Sequence, residues 1–426
     1  RRCDYGCDGW SFDDVLPYFK RSQNQRRGAS ELHGADGPLE VMDPTYTNPL
    51  TERFVEAGVE LGWTRNPDFN GPHQEGIGVY QVNQRRGRRW SAAVGYLHPA
   101  LSRPNLKLLT GARALGLIVE GGRARGVDVL HGAHRRQLHA RREVILAAGA
   151  VGSPHLLLLS GIGPADELRR HGIEAVHDLP GVGRNLQDHP VVSTVFRSRH
   201  DNSLDNAENW RNVVRYLFTR KGPLTSCVCE GGAFVRTEPG LPQPDLQFHF
   251  IPTALVDHGF DSVADHGFNF GPTLLKPKSR GRITLKTSDP IAAPAIEANY
   301  LADPDDARIL VEGVKLSRRL AATGAFAEDL DREIWPGPAA RSDADLEAFV
   351  RRVAATLYHP ACTCAMGPTD GPIETVVDTD LKVHGLEGLR VADASVMPEL
   401  VGGNTNAPTI MVAEKASDAI LDDLRG

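Results

Sequence analysis

Two stretches far apart in the chain carry side chains that could move a proton and hold an oxygen. Tyr358-His359-Pro360 leads to Met366-Gly367, and Val391-Ala-Asp-Ala-Ser395 runs on to Gly403-Asn-Thr-Asn-Ala-Pro-Thr-Ile-Met411. An imidazole titrates near pH ~6.5 and accepts a proton at neutral pH. The residue before a proline is pushed out of the α region, so His359 is expected where a helix ends, its ring turned out at a fixed angle. Asn406 cannot take a proton, but its amide can hold an oxygen. A base beside such an amide suits removal of a hydroxyl proton while the adjoining carbon gives up a hydride. Each residue also has a plainer reading. A lone His-Pro pair is more often a histidine satisfying a helix C-terminus, and Asn is a favoured N-cap, here with Pro408 in the first turn.

The elements that must position these residues are legible in outline. Helices are expected over Phe12–Ser22 and Leu50–Leu61, and from Asp303 to Ala321. Another follows Ser342-Asp-Ala-Asp345, a capping-box variant, with apolar Leu346, Phe349, Val350, Val353 and Leu357. Asn105–Thr110 reads as a strand. Leu115–Glu120 and Arg123–Leu130 flank Gly121-Gly122, a hairpin signal. Glu143–Ala147 is a further strand, and Ser153-Pro154 then reads as N-cap and first helical position. Asp245–Phe250 and Gly281–Lys286 alternate apolar and polar residues, as half-buried antiparallel strands do. Gly388–Ala392 is a strand, followed by a helix from about Ala407.

Composition narrows the class. The 426 residues are 41% hydrophobic and 24% charged, with a net charge of −6 and the two signs interspersed. That is the mix of a globular protein of about two domains, and it argues against a nucleic-acid partner. Val144–Ala165 carries no formal charge, but its glycines and prolines make it a strand, a turn and a short helix rather than a transmembrane segment. Six cysteines fall in pairs, Cys3/Cys7, Cys227/Cys229 and Cys362/Cys364. No His pair stands at ligand spacing, so free thiols are expected and no metal.

With a third segment, Ala148-Gly-Ala-Val-Gly-Ser-Pro-His-Leu-Leu-Leu-Leu-Ser-Gly-Ile-Gly-Pro164, and with Leu179-Pro-Gly-Val-Gly-Arg-Asn-Leu-Gln-Asp-His189, these motifs resemble the glucose–methanol–choline (GMC) family of FAD-dependent alcohol oxidoreductases. The resemblance runs over nearly the whole chain. It implies an α/β and α+β architecture: a FAD-binding Rossmann-type domain, here without its first βαβ unit, plus a substrate domain with an antiparallel sheet and helices. On that pattern residues 1–100 form a lid and mixed segment. Residues 101–190 and 383–426 form the FAD-binding domain, and 191–382 the substrate domain.

The resemblance assigns the catalytic base to His359 and the substrate-facing amide to Asn406. It assigns contacts with FAD to Asp393, Ala394, Asn404, Thr405, Ala407, Pro408 and Thr409, with the backbone near Ala114 approaching the adenine. The helix N-terminus at Ala407–Thr409 would favour a reduced, negatively charged flavin. Arg184-Asn185 and Asp188-His189 are expected to buttress the domain junction. Cys362 stands where relatives usually have Gly, close to the base. Glu230 either faces a cationic substrate or serves a loop.

No Gly-x-Gly-x-x-Gly follows a strand and opens a helix. The phosphate loop is therefore expected outside this chain, and the chain as given is expected to bind FAD poorly. The partners implied are a small-molecule alcohol and an electron acceptor, quinone or dioxygen. The Asn-Thr-Asn-Ala-Pro form is more similar to the dehydrogenase branch of the family, choline- and alcohol-dehydrogenase-like. The alternatives are a non-catalytic fragment, or an oxygen-using oxidase or lyase of the same family. A homodimer is possible, and the location is expected to be the cytoplasm or the periphery of the inner membrane.

Overall fold

The computed structural model describes residues 5–256, 259, 261–262 and 266–425. Cys3 lies outside the described residues. The chain folds around two principal cores that meet at the segments singled out above.

The first core forms where the middle and the end of the chain come together. Strand Val144–Leu146 pairs in parallel with Leu389–Val391, Val144 opposite Leu389 and Leu146 opposite Val391. Helix Gly149–Leu159 follows the first of these strands directly. The C-terminal helix Asn406–Asp423 packs on Phe12–Ser22, where Arg21 grips Glu414 and Asp418. Beside them lies an antiparallel meander, Ala112–Glu120, Arg123–His131 and His134–His139. Its first turn is made by Gly121 and Gly122, both at positive φ (58° and 74°), which a two-residue hairpin requires. Met366, Val376, Val377 and Leu381 are buried in this same core.

Two local expectations fail here. Asn105–Thr110 is not a strand. Leu106, Leu108 and Leu109 alternate plausibly, yet they are exposed and no neighbouring ladder is present among the described residues. Ser153 is not an N-cap either, because the helix starts four residues earlier. The Asp393 carboxylate accepts from the Gly149 N–H and the Ser153 hydroxyl and holds that earlier start. Pro154 then lies inside the helix, where it cannot donate to the Ala150 carbonyl. The Thr363 hydroxyl donates to that carbonyl instead, at 2.6 Å.

The second core lies under an eight-stranded, largely antiparallel sheet. Its main path runs Leu330–Trp335, Thr194–Ser198, Gly267–Leu274, Leu246–Ile251, Gly231–Val235 and Gly76–Val79. Short strands Pro190–Val191 and Ala355–Thr356 join off this path. Seven phenylalanines fill the core: 54, 196, 248, 250, 268, 270 and 326. Phe54 of helix Pro49–Glu60 stacks on Phe250, ring centroids 4.8 Å apart. Helix Pro304–Ala321 covers the same side, and helix Asp343–Val353 packs on it. Ser342 and Asp345 form the expected reciprocal capping box.

Leu246–Ile251 alternates as expected, but the alternation does not mean half-burial, since Leu246 through Phe250 are all buried. Leu246, Phe248 and Phe250 enter the phenylalanine core. Gln247 and His249 face the other way, into the junction between the two cores.

Candidate active site

His359 sits at that junction, not at a helix end. The preceding helix stops at Val353, and the chain passes through strand Ala355–Thr356 before reaching it. Tyr358 takes φ +63°, a left-handed bend that turns the chain. Buried Asp188 fixes the bend. Its Oδ1 accepts the backbone N–H groups of His359 and His189, and its Oδ2 accepts the hydroxyls of Thr356 and Tyr300.

Around His359 the structure gathers residues from five segments. His189 Nδ1 lies 2.9 Å from His359 Nδ1, the rings edge-on at 87°. His189 Nε2 lies 3.1 Å from the Val401 carbonyl. On the other side, Asn404 Nδ2 lies 3.4 Å from His359 Nε2. Gln247 Nε2 donates to Asn404 Oδ1 at 3.1 Å and to the Tyr80 hydroxyl at 2.8 Å. His249 Nδ1 is 3.1 Å from the Thr273 hydroxyl.

These contacts determine where the hydrogens are. A carbonyl can only accept, so His189 Nε2 carries its hydrogen. Burial, reinforced by the neighbouring His359, pushes the pKa of His189 down to about 3, so at neutral pH its Nδ1 is a bare lone pair. The facing Nδ1 of His359 must then donate, which leaves His359 Nε2 bare and turned toward the Asn404 amide. Burial also lowers the pKa of His359, against the opposing pull of Asp188. The Thr273 hydroxyl donates to the Gly271 carbonyl, so it accepts from His249 Nδ1. His249 Nε2 is thus a second bare nitrogen, buried without a protein partner. Its pKa too is held down at about 3 by burial.

The loop that carries Asn404 is pinned at successive carbonyls. Asn185 donates to Pro398, Lys276 to Leu400, His189 to Val401 and Gln74 to Gly402. Asn406 falls two residues later as the first residue of the C-terminal helix, with Thr405 in the N-cap position. The asparagine facing His359 is therefore Asn404. Thr405 offers no side-chain cap and Pro408 has no N–H, so the exposed first turn presents uncapped donors at Asn406 and Ala407. The Thr409 N–H and hydroxyl both bond the Thr405 carbonyl.

The remaining positions are placed as follows. Both oxygens of Asp393 are engaged within the chain, Oδ1 by the Ser395 N–H and Oδ2 by Gly149 and Ser153. The Ala394 carbonyl accepts from the Cys362 N–H. Ala114 is an exposed meander residue opposite Val129. Cys362 is buried at φ +76°, a backbone conformation that glycine adopts freely, and burial pushes its thiol well above the usual range. Glu230 does not face this site. It is fully buried, accepting from the Asn48 N–H and the Thr51 and Ser226 hydroxyls. Cys227, Cys229, Cys362 and Cys364 are free thiols, and no metal-binding cluster occurs among the described residues. No helix there is long and apolar enough to cross a membrane.

Comparison with known proteins identifies the family of the chain. Two family models described as GMC oxidoreductase match residues 2–191 and 277–413. The chain is 45% identical to an alcohol dehydrogenase [acceptor] of Pseudomonas putida, covering 98% of this chain and 76% of that protein. It is 42% identical to an oxygen-dependent choline dehydrogenase of Brucella anthropi, with the same coverage. Among solved structures it resembles pyridoxine 4-oxidase from Mesorbium loti, with a TM-score of 0.88, 29% identity, and coverage of 98% and 79% of the two chains. It also resembles an Aspergillus oryzae formate oxidase, with a TM-score of 0.90, 28% identity, and coverage of 99% and 80%.

Proposed function

The chain belongs to the GMC oxidoreductase family, whose members use FAD to oxidise alcohols, and from that premise we propose how its own residues share the work. His359 Nε2 takes the hydroxyl proton of the alcohol, and the Asn404 amide orients the oxygen. The bare Nε2 of His359, fixed by His189 on its far side and faced by Asn404 on its near side, carries this reading.

The residues present fit FAD. The uncapped, exposed first turn at Asn406–Pro408 offers N–H donors and the positive end of a helix dipole to an anionic ring edge. Buried His249 Nε2, which lacks a protein partner, adds a polar atom at the junction. When bound, FAD supplies the two-electron acceptor for the hydride of the alcohol carbon. Everything else belongs to the protein. Gln247 locks the Asn404 amide so that its N–H groups face the site. Asp188 holds the backbone of His359. The alcohol dehydrogenase [acceptor] relative supports an alcohol substrate and a separate electron acceptor, and the oxygen-dependent choline dehydrogenase relative keeps dioxygen beside a quinone as that acceptor.

The test is single-turnover reduction of the FAD-loaded enzyme by alcohol. His359→Ala should slow it by about 10²–10⁴, the range for loss of a general base. Asn404→Ala should cost about 2.7–4 kcal/mol of rate, as loss of a preorganised donor does. Asn406→Ala, with no cap to lose, should leave the rate within about twofold of the parent. A slow Asn406→Ala beside a normal Asn404→Ala would reverse the assignment.

A further inference from the structure

Helix Trp210–Thr219 is built differently from the rest of the molecule. None of its residues is buried. Trp210, Val213, Val214, Leu217 and Phe218 recur at i, i+3, i+4, i+7 and i+8, forming one continuous apolar stripe. In a soluble globule such a stripe turns inward. Here it faces solvent, with Trp210 71%, Leu217 59% and Phe218 85% exposed. The opposite side anchors the helix to the body. The Tyr216 hydroxyl donates to the Gly87 carbonyl at 3.2 Å, and the Asn212 amide donates to the Ala207 carbonyl. Contiguous exposed apolar surface of this kind marks an interaction site.

The charge around the stripe selects the partner. Trp210–Lys221 contains Arg211, Arg215, Arg220 and Lys221 and no acidic residue. The Arg211 guanidinium lies over the Trp210 ring, at the edge of the stripe. Gly87, which receives Tyr216, is the tip of the hairpin Gln84–Arg85 with Arg88–Arg89. That hairpin adds exposed Arg85, Arg86, Arg88 and Arg89. Only Arg85 among these has an acidic partner, Glu40 at 3.2 Å, and the acids of the segment before the helix are Asp201, Asp205 and Glu208. A chain with a net charge of −6 thus gathers a cationic rim around an exposed apolar stripe.

We propose that this face docks on the surface of an anionic phospholipid bilayer, with the stripe of Trp210–Thr219 lying in the headgroup boundary and the arginine hairpin against the lipid phosphates. A helix with a strong apolar face, aromatic residues on it and cations beside it is the form that lies in such an interface. A second copy of the chain fits less well. A two-fold contact sets the same patch against itself, and this patch would face its own arginines.

The test uses the whole chain and needs no FAD, so it stands or falls separately from the catalytic reading. The protein is sedimented with vesicles of phosphatidylcholine alone and of phosphatidylcholine with phosphatidylglycerol. Binding should require phosphatidylglycerol and weaken at high salt. Leu217→Ser with Phe218→Ser should lower the partition coefficient by about tenfold or more. Arg211→Glu with Arg215→Glu should lower it by about fivefold or more per residue. Circular dichroism and Tm should stay close to parental values, because the replaced side chains are exposed and belong to no core. Tryptophan emission should shift to the blue on binding, and Trp210→Phe should abolish the shift. Three outcomes would each overturn the proposal: no sedimentation with anionic vesicles, binding indifferent to all four substitutions, or a dimer in solution that Phe218→Ser dissociates.

Discussion

One nitrogen of His359 is free to act because its other nitrogen is spoken for, and the residue responsible is His189. The tautomer is set by a carbonyl two side chains away, at Val401. Replacing His189 with Phe removes the acceptor and lets the hydrogen of His359 settle on Nε2. NMR of labelled histidine in the chain should then show His359 changing from one tautomer to a mixture, a change that mere loosening of the fold would not produce. Turnover should fall by roughly tenfold or more, toward the about 10²–10⁴ of base loss, with KM little changed. His189→Asn, which keeps an acceptor, should recover part of it. A parental spectrum with hydrogen already on Nε2 would defeat the idea. The sign of the pH effect also follows. Burial lowers the pKa of His359, so its Nε2 stays free across neutral pH, and in the proposed role the rate should drop only on acidification below the ordinary ~6.5. His359 was singled out from His-Pro, Met-Gly and the downstream Asn-Thr-Asn-Ala-Pro, though at a helix end that the structure does not give it. The choice between Asn404 and Asn406 was not. Both stand at the entrance of a helix, and spacing alone does not say which lies in the turn before it.

Local rules located most elements correctly and misplaced those whose ends are set by distant partners. The capping box at Ser342 and the hairpin at Gly121-Gly122 are local, and both formed as read. Ser153-Pro154 looked like a helix start because nothing nearby reveals that Asp393 reaches in to begin the helix at Gly149. The alternation in Leu246–Ile251 was visible, but its polar side meets Asn404 and the histidines instead of water, a fact held by the other half of the chain. Pro154 inside its helix gives an element-scale prediction. Thr363→Val removes the hydroxyl that satisfies Ala150 and should cost about 1–3 kcal/mol, the penalty for a buried unsatisfied acceptor. Pro154→Ala restores an N–H to the same carbonyl and should recover much of that loss in the double variant. Thermal unfolding of the four proteins measures the coupling, and strictly additive losses would refute it.

At the scale of the whole molecule, two neutral histidines are buried at the junction of the cores, and they tie stability to pH. His189 and His249 have pKa values of about 3, far below the ordinary ~6.5, so the unfolded chain binds protons that the folded chain refuses. Stability should be full above ~6.5 and fall as pH drops toward 3, by about 1.4 kcal/mol per group for each unit within that window. Denaturant unfolding at pH 7 and pH 5 should show the loss, and His249→Gln should flatten the slope. About two domains were expected from the length, and a flavin and a substrate part from the motifs. Their junction was not, because it is made by contacts between segments hundreds of positions apart. The pairing of Val144–Leu146 with Leu389–Val391 has a consequence for how the protein is made. A ribosome adding about 5–20 residues per second needs roughly 10–50 s to deliver the second strand after the first. Through that interval the first strand waits with an open hydrogen-bonding edge while the phenylalanine sheet can already close. The strand at Val144–Leu146 therefore depends most on chaperone cover during that interval, and His359 meets Asn404 only after the second strand has emerged.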